Sequence, residues 1–137
     1  MNEREGKMTK KILVVDDEKD VVDYLTTVLK YGGYEVISAS NVDEAIEQVK
    51  AESPDLITLD IIMPGKTGIK GFEKLRRTSG IPNDIPVIVV TGYQQTEHHQ
   101  MNPEFLMEVK TVPPPAAFFE KPFEEKAFLA AIEKALA

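Results

Sequence analysis

The sequence predicts an α/β domain in which a parallel sheet carries helices on both faces. Three observations lead there. Short apolar runs recur along the chain: Ile12-Leu13-Val14-Val15, Val36-Ile37-Ser38-Ala39, Leu56-Ile57-Thr58-Leu59, Val87-Ile88-Val89-Val90 and a weaker run from Ala116 to Phe119. They are continuous rather than alternating, the pattern of strands buried on both faces. Segments of helical periodicity separate them, and the resulting βαβαβαβαβα alternation is that of helices connecting parallel strands.

The elements follow in order. Val21, Leu25, Val28 and Leu29 recur at helical spacing after the first strand, and Gly32-Gly33 stops that helix. Asn41 followed by Glu44 has capping-box spacing, and Val42, Ala45, Ile46 and Val49 then form one face. Ile69, Phe72 and Leu75 mark a third helix whose basic stretch, Lys66, Lys70, Lys74, Arg76 and Arg77, reads as a solvated face. After the fourth strand, only Pro103 to Val109 reads as helix, and Pro113-Pro114-Pro115 is an extended connector. The last helix follows Pro122, with Phe128, Leu129, Ile132 and Leu136 inward and Glu124 and Glu125 in the first turn, where the helix dipole favours acids.

Composition narrows the function classes. The 137 residues fit one domain, residues 11–137 behind a polar tail of residues 1–10, and 42% hydrophobic with 28% charged residues excludes disorder of the whole chain. Sixteen Lys+Arg against 23 Asp+Glu give a net charge of −7, a poor match for a phosphate backbone, so no direct nucleic-acid binding is expected. The chain has no cysteine, which excludes disulfides, thiol catalysis and cysteine-ligated metals. It has no run of about 18 apolar residues and no apolar stretch in its first ten residues, so neither a membrane span nor a secretory signal is expected, and the expected location is cytoplasmic.

The strand assignments bring polar residues to one end of the sheet. Asp16 and Asp17 follow the first strand, Asp60 the third, Thr91 the fourth and Lys121 the fifth. Ligands of open α/β sheets bind at the carboxyl ends of the strands, where the strand order reverses. Three carboxylates converging there repel one another unless a hard divalent cation such as Mg²⁺, which takes oxygen ligands, sits among them. A nearby lysine adds a point charge suited to phosphate. One such Asp alone is usually a turn or helix-cap residue; the set of five on four strand ends is the signal.

Val14-Val15-Asp16-Asp17-Glu18, Leu59-Asp60-Ile61-Ile62-Met63-Pro64-Gly65, Pro86-Val87-Ile88-Val89-Val90-Thr91-Gly92 and Phe119-Glu120-Lys121-Pro122-Phe123 together resemble the CheY-like receiver domain of two-component response regulators, from about Lys11 to the C-terminus. The resemblance implies a doubly wound, flavodoxin-like (βα)5 domain with strand order 2-1-3-4-5, an order the alternation alone does not supply. It implies that Asp60 is the phosphoacceptor, a carboxylate nucleophile forming an aspartyl phosphate. It also implies that Asp17 ligates Mg²⁺ directly with Asp60 and the Ile62 carbonyl, and that Asp16 acts mainly through metal-bound water. Lys121 would contact Asp60 and then a phosphoryl oxygen, Thr91 would hydrogen-bond a phosphoryl oxygen, and Pro122 fits the cis peptide the family places there. Phe118 occupies the switch-aromatic position coupled to Thr91, without the hydroxyl of a tyrosine; an ordinary core role is the alternative, and Phe119 reads as core.

The implied partners are a histidine kinase or phosphotransfer protein as phosphoryl donor, and an output domain or partner protein that reads the face of helix 4, strand 5 and helix 5, with a homodimer also open. The implied role is that of a signalling domain rather than an enzyme. Ile62 and Tyr93, two residues past Asp60 and Thr91, flank the hydrolytic water in the family. Neither side chain readily activates it, so slow autodephosphorylation is expected. Thr91 and Lys121 are 30 positions apart, more than the family pattern leads one to expect, so any inherited dimer mode is in doubt and Tyr93 to Pro115 is expected to be partly mobile.

Three competing readings are weaker. Gly65-Lys66-Thr67 resembles the end of a phosphate-binding G-x-x-x-x-G-K-[ST] loop, but the first glycine would fall on Asp60. A phosphatase of the haloacid-dehalogenase type needs a second Asp two past the nucleophile, where Ile62 stands. A degenerate receiver serving only as a binding module is disfavoured because all five site residues are present. His98-His99 are adjacent and do not share a helix face, so they read as surface.

Overall fold

In the computed structural model five parallel strands alternate with helices. It describes residues 9–60, 68–82, 84–91, 115–120 and 123–137, and of residues 68–70, 91 and 120 the backbone alone. The strands are β1 (Lys11–Val15), β2 (Glu35–Ala39), β3 (Leu56–Asp60), β4 (Val87–Thr91) and β5 (Ala117–Glu120). The described helices are α1 (Lys19–Tyr31), α2 (Val42–Glu52), α3 (Gly68–Arg77) and the C-terminal α4 (Glu125–Leu136). The sheet order is β2-β1-β3-β4-β5, as the resemblance implied. The helical segment predicted over Pro103 to Val109 and the connector through Pro114 lie outside the described residues, as does the expected mobility of residues 93–114.

Side-chain alternation along the strands divides the core into two layers. Leu13, Val15, Ile57, Leu59, Val87 and Val89 pack against Val42, Ala45, Ile46 and Val49 of α2 and Phe72 and Leu75 of α3. Ile12, Val14, Leu56, Ile88 and Val90 point the other way, against Leu25, Val28 and Leu29 of α1 and Phe128 and Ile132 of α4. Helices therefore cover both faces, and residues 12–15 of β1, all of β3 and residues 87–90 of β4 are buried. The second strand departs from the expectation of two-sided burial. It is an edge strand with Glu35 and Ser38 exposed, because nothing pairs with its outer side among the described residues. The fifth strand starts at Ala117, one residue later than predicted. The amide of Ala116 already donates to the Val87 carbonyl at 2.8 Å.

The predicted helix boundaries have visible causes. Past Tyr31 the amide of Gly33 donates to Lys30 O and that of Tyr34 to Leu29 O, a Schellman motif. It requires the left-handed backbone that Gly33 adopts at φ 95°. At the start of α2, Asn41 Oδ1 accepts from the Glu44 amide at 2.8 Å. The return half of the predicted box is displaced by one residue: Glu44 Oε1 accepts from the amide and the hydroxyl of Ser40, each at 2.8 Å. Those bonds, the backbone one first, hold the Glu44 carboxyl below the usual carboxylate range. A depressed pKa contributes stability above the unfolded-state value that is lost as pH falls through the folded-state value. The stability difference between the wild type and Glu44→Gln should therefore shrink on acidification below the usual glutamate range, as read from urea midpoints across pH. At the start of α4, Glu124 is the residue before the helix rather than part of its first turn, which Glu125 occupies.

The basic face of α3 divides. Lys74 is exposed and bridges to Asp43 of α2 at 2.6 Å. Arg76, expected to be solvated, is buried: one guanidinium nitrogen donates to the Ile85 carbonyl at 2.6 Å, and the group lies 5.5 Å from the Phe72 ring centroid. Burial lowers its pKa, opposed by the charge of Asp84. Even so, an arginine remains charged. Arg76 thus ties the end of α3 to the entry of β4. Arg76→Leu, which strands a buried carbonyl, should lower the unfolding free energy by about 1–3 kcal/mol in urea titration.

Candidate functional site

Strand order fixes where the site must lie. The chain leaves β1 for β2 on one side, then returns past β1 to β3 on the other, so the order reverses between β1 and β3. Parallel pairing of Val15 with Leu59 sets the two strand ends level. Asp16 and Asp17 continue from β1, and Asp60 closes β3.

These three carboxylates converge. One carboxylate oxygen from each of Asp16, Asp17 and Asp60 lies within 4.8 Å of the others. Asp16 is 2% exposed and Asp60 5%, whereas Asp17 is exposed. Burying two acids beside a third is costly unless positive charge compensates them. Asp16 is held in place from both ends. Its amide donates to the Ala39 carbonyl at 3.1 Å, and its Oδ1 accepts from the Glu18 amide at 2.9 Å. That turn precedes α1 and directs the Asp16-Asp17 pair to the sheet end. An all-oxygen set of this kind suits a hard divalent cation and not a soft one.

The neighbouring strands complete the edge. Asp60 pairs with Val90 of β4, and Thr91 ends that strand opposite Glu120 of β5. The predicted row of strand ends, β1, β3, β4 and β5, is therefore contiguous in space. Phe118 pairs with Val89 and packs, half-buried, against the α2–α3 side of the core. Phe119, also half-buried, packs against the opposite core layer rather than lying inside it. Lys121, Pro122, Ile62 and Tyr93 lie outside the described residues. An open cleft of about 220 Å³ beside the acids is lined by residues including Asp16, Asp17, Lys19, Ser40 and Glu44. Sequence reading did not anticipate it, since it forms between loops distant in the chain.

Residues 12–133 match the response regulator receiver domain family. The chain belongs to that family. Its fold agrees: a CheY-like response regulator receiver domain protein from Methanospirillum hungatei superposes with a TM-score of 0.75 at 27% identity, covering 93% of this chain and 94% of that one. Protein Rrf1 of Nitratidesulfovibrio vulgaris is 31% identical over 130 residues, 95% of this chain and 85% of that protein. The alkaline phosphatase synthesis transcriptional regulatory protein PhoP of Bacillus subtilis is 42% identical over 85 residues. That match takes in 62% of this receiver domain and 34% of PhoP, so the chain spans about a third of this longer relative. No helix among the described residues of the receiver domain is long and apolar enough to cross a membrane.

Proposed function

We propose that this receiver domain accepts a phosphoryl group on Asp60 from a phosphohistidine of a histidine kinase or phosphotransfer protein, and thereby switches its affinity for an output domain or partner protein. The observation that carries the reading is the convergence of the Asp16, Asp17 and Asp60 oxygens within 4.8 Å at the strand-order reversal. Asp17, Asp60 and the Ile62 carbonyl would hold Mg²⁺, with Asp16 acting mainly through water. The cation, when bound, neutralises and positions the transferring group.

In the reaction an Asp60 carboxylate oxygen attacks phosphorus. A P–O bond forms, the P–N bond breaks, and the imidazole leaves with the electron pair. Lys121 holds the phosphoryl oxygens by charge, and Thr91 donates a hydrogen bond to one of them. The added negative charge is read through Thr91 and Phe118 and displayed on the face of the segment after β4, β5 and α4. The domain acts as a signalling element in the cytoplasm and turns over no substrate beyond its own phosphoryl group. The chain incubated with acetyl phosphate should gain one phosphoryl group by intact mass when Mg²⁺ is present and none after chelation; no gain under either condition overturns the reading.

Phosphoryl lifetime rests on Ile62 and Tyr93. With no side chain there that activates water, decay should be slow, and Ile62→Asn should speed it. If Ile62→Asn and Tyr93→Ala both leave the decay rate unchanged, these residues do not set the lifetime.

A further inference from the structure

Two side chains of one helix close part of the outer edge of β2. The Glu35 amide donates to the Lys10 carbonyl at 2.9 Å and the Asp16 amide to the Ala39 carbonyl at 3.1 Å, so residues 35 and 39 turn backbone groups toward β1. Parallel pairing alternates along a strand, which turns Val36, Ser38 and Ser40 outward. Gln48 Nε2 donates to the outward Ser38 carbonyl at 3.0 Å. Glu44 Oε1 accepts from the outward Ser40 amide at 2.8 Å. Glu44 and Gln48 stand four residues apart in α2, one helical turn, and so share the side of the helix that borders this edge. Among the described residues, the edge keeps only the Val36 amide and carbonyl and the Ser38 amide open.

An open strand edge is a template for pairing with another chain. A ladder needs successive outward donors and acceptors, and here the Ser38 carbonyl and the Ser40 amide are occupied. The exposed charge of Glu35 stands at the other end of the strand, a second device that discourages pairing. What stays open lies within residues 36–38, shorter than the strands of about 5–6 residues that sheets ordinarily pair. A second copy of the chain carries the same edge, so opening it would let two copies join β2 to β2 about a two-fold axis, as one continuous sheet. We propose that Glu44 and Gln48 are guard residues that keep the β2 edge from pairing with the β2 edge of a second copy. The proposal stands on the edge geometry alone and does not depend on phosphorylation.

The test is the weight-average mass of the full chain by sedimentation equilibrium, over a concentration series and without a phosphoryl donor. In the double variant Glu44→Ala/Gln48→Ala the mass should climb with concentration toward about twice that of wild type measured alongside. In the associated form the Val36 and Ser38 amides should exchange with solvent about tenfold more slowly, because a partner strand now holds them. Gln48→Ala alone replaces a helix residue by the best helix former and decides the matter if the double variant does not fold; it should associate in the same way at higher concentration. Asn41→Ala is the control. It weakens the same helix by removing the side chain that accepts from the Glu44 amide, yet removes neither guard side chain, so it should keep the wild-type mass. Wild-type mass at every concentration in both guard variants overturns the proposal. So does equal association of Asn41→Ala, or association that leaves exchange at Val36 and Ser38 unchanged.

Discussion

Replacing Phe128 by alanine is expected to lower the free energy of unfolding by about 3–5 kcal/mol, the usual cost of emptying a buried phenylalanine site. The ring is fully buried and is the shared partner of Phe119 and Phe123. Its layer also holds Leu25, Val28 and Leu29 of α1 and Ile88 and Val90 of the sheet, so its removal loosens α4 from β4 and α1 together. Neighbouring helices and strands cannot collapse into the space without shifting backbone, which keeps the loss near the upper end. Domains of this size are stable by about 5–15 kcal/mol, so the variant should unfold at much lower urea with an unchanged slope. A loss below about 1 kcal/mol would contradict the central place given to this ring.

Exchanging Asp60 for asparagine should move stability in opposite directions with and without a divalent cation. Unit charges 4.8 Å apart repel by about 3–4 kcal/mol at an effective dielectric of 20. The exposure of Asp17 and the other contacts of Asp16 and Asp60 reduce what neutralisation returns. The asparagine variant should be more stable than wild type by about 1–2 kcal/mol in chelator, a familiar trade between stability and function. At ten times its Kd, Mg²⁺ should raise wild-type stability by about 1.4 kcal/mol through mass action and raise the variant by much less. Urea midpoints in chelator and in Mg²⁺ check both halves. A variant that is weaker in chelator, or that gains as much from Mg²⁺ as wild type, contradicts a cation-requiring acid cluster.

Much of this architecture was legible because parallel strands leave a strong signature. Ile12 to Val15, Leu56 to Leu59 and Val87 to Val90 are buried on both faces, and their continuous apolar runs say so directly. Strand order was not legible in the same way, since the same alternation serves several orders; it came from the family resemblance. Edge position was equally invisible. Val36 to Ala39 reads like its neighbours, yet β2 lacks an outer partner among the described residues and is only half-covered. Arg76 shows a signal that composition masked. It stands four residues past Phe72 and one past Leu75, on the inward stripe of α3, so helical spacing pointed to burial while charge pointed to solvent. The acid cluster was legible because strand ends were: an Asp ending one strand and two following another must meet when those strands are neighbours in register. The Phe119–Phe123–Phe128 contacts were not, because they depend on how α4 packs back onto β5.

The central claim is that Asp60 is the phosphoacceptor. Intact-mass measurement, with fragmentation to locate the group, after incubation with acetyl phosphate and Mg²⁺ tests it most directly. Wild type should gain a single phosphoryl group on Asp60, and Asp60→Asn should gain none under the same conditions. A phosphoryl group on any other residue of the wild type, or an equal gain in Asp60→Asn, would contradict it.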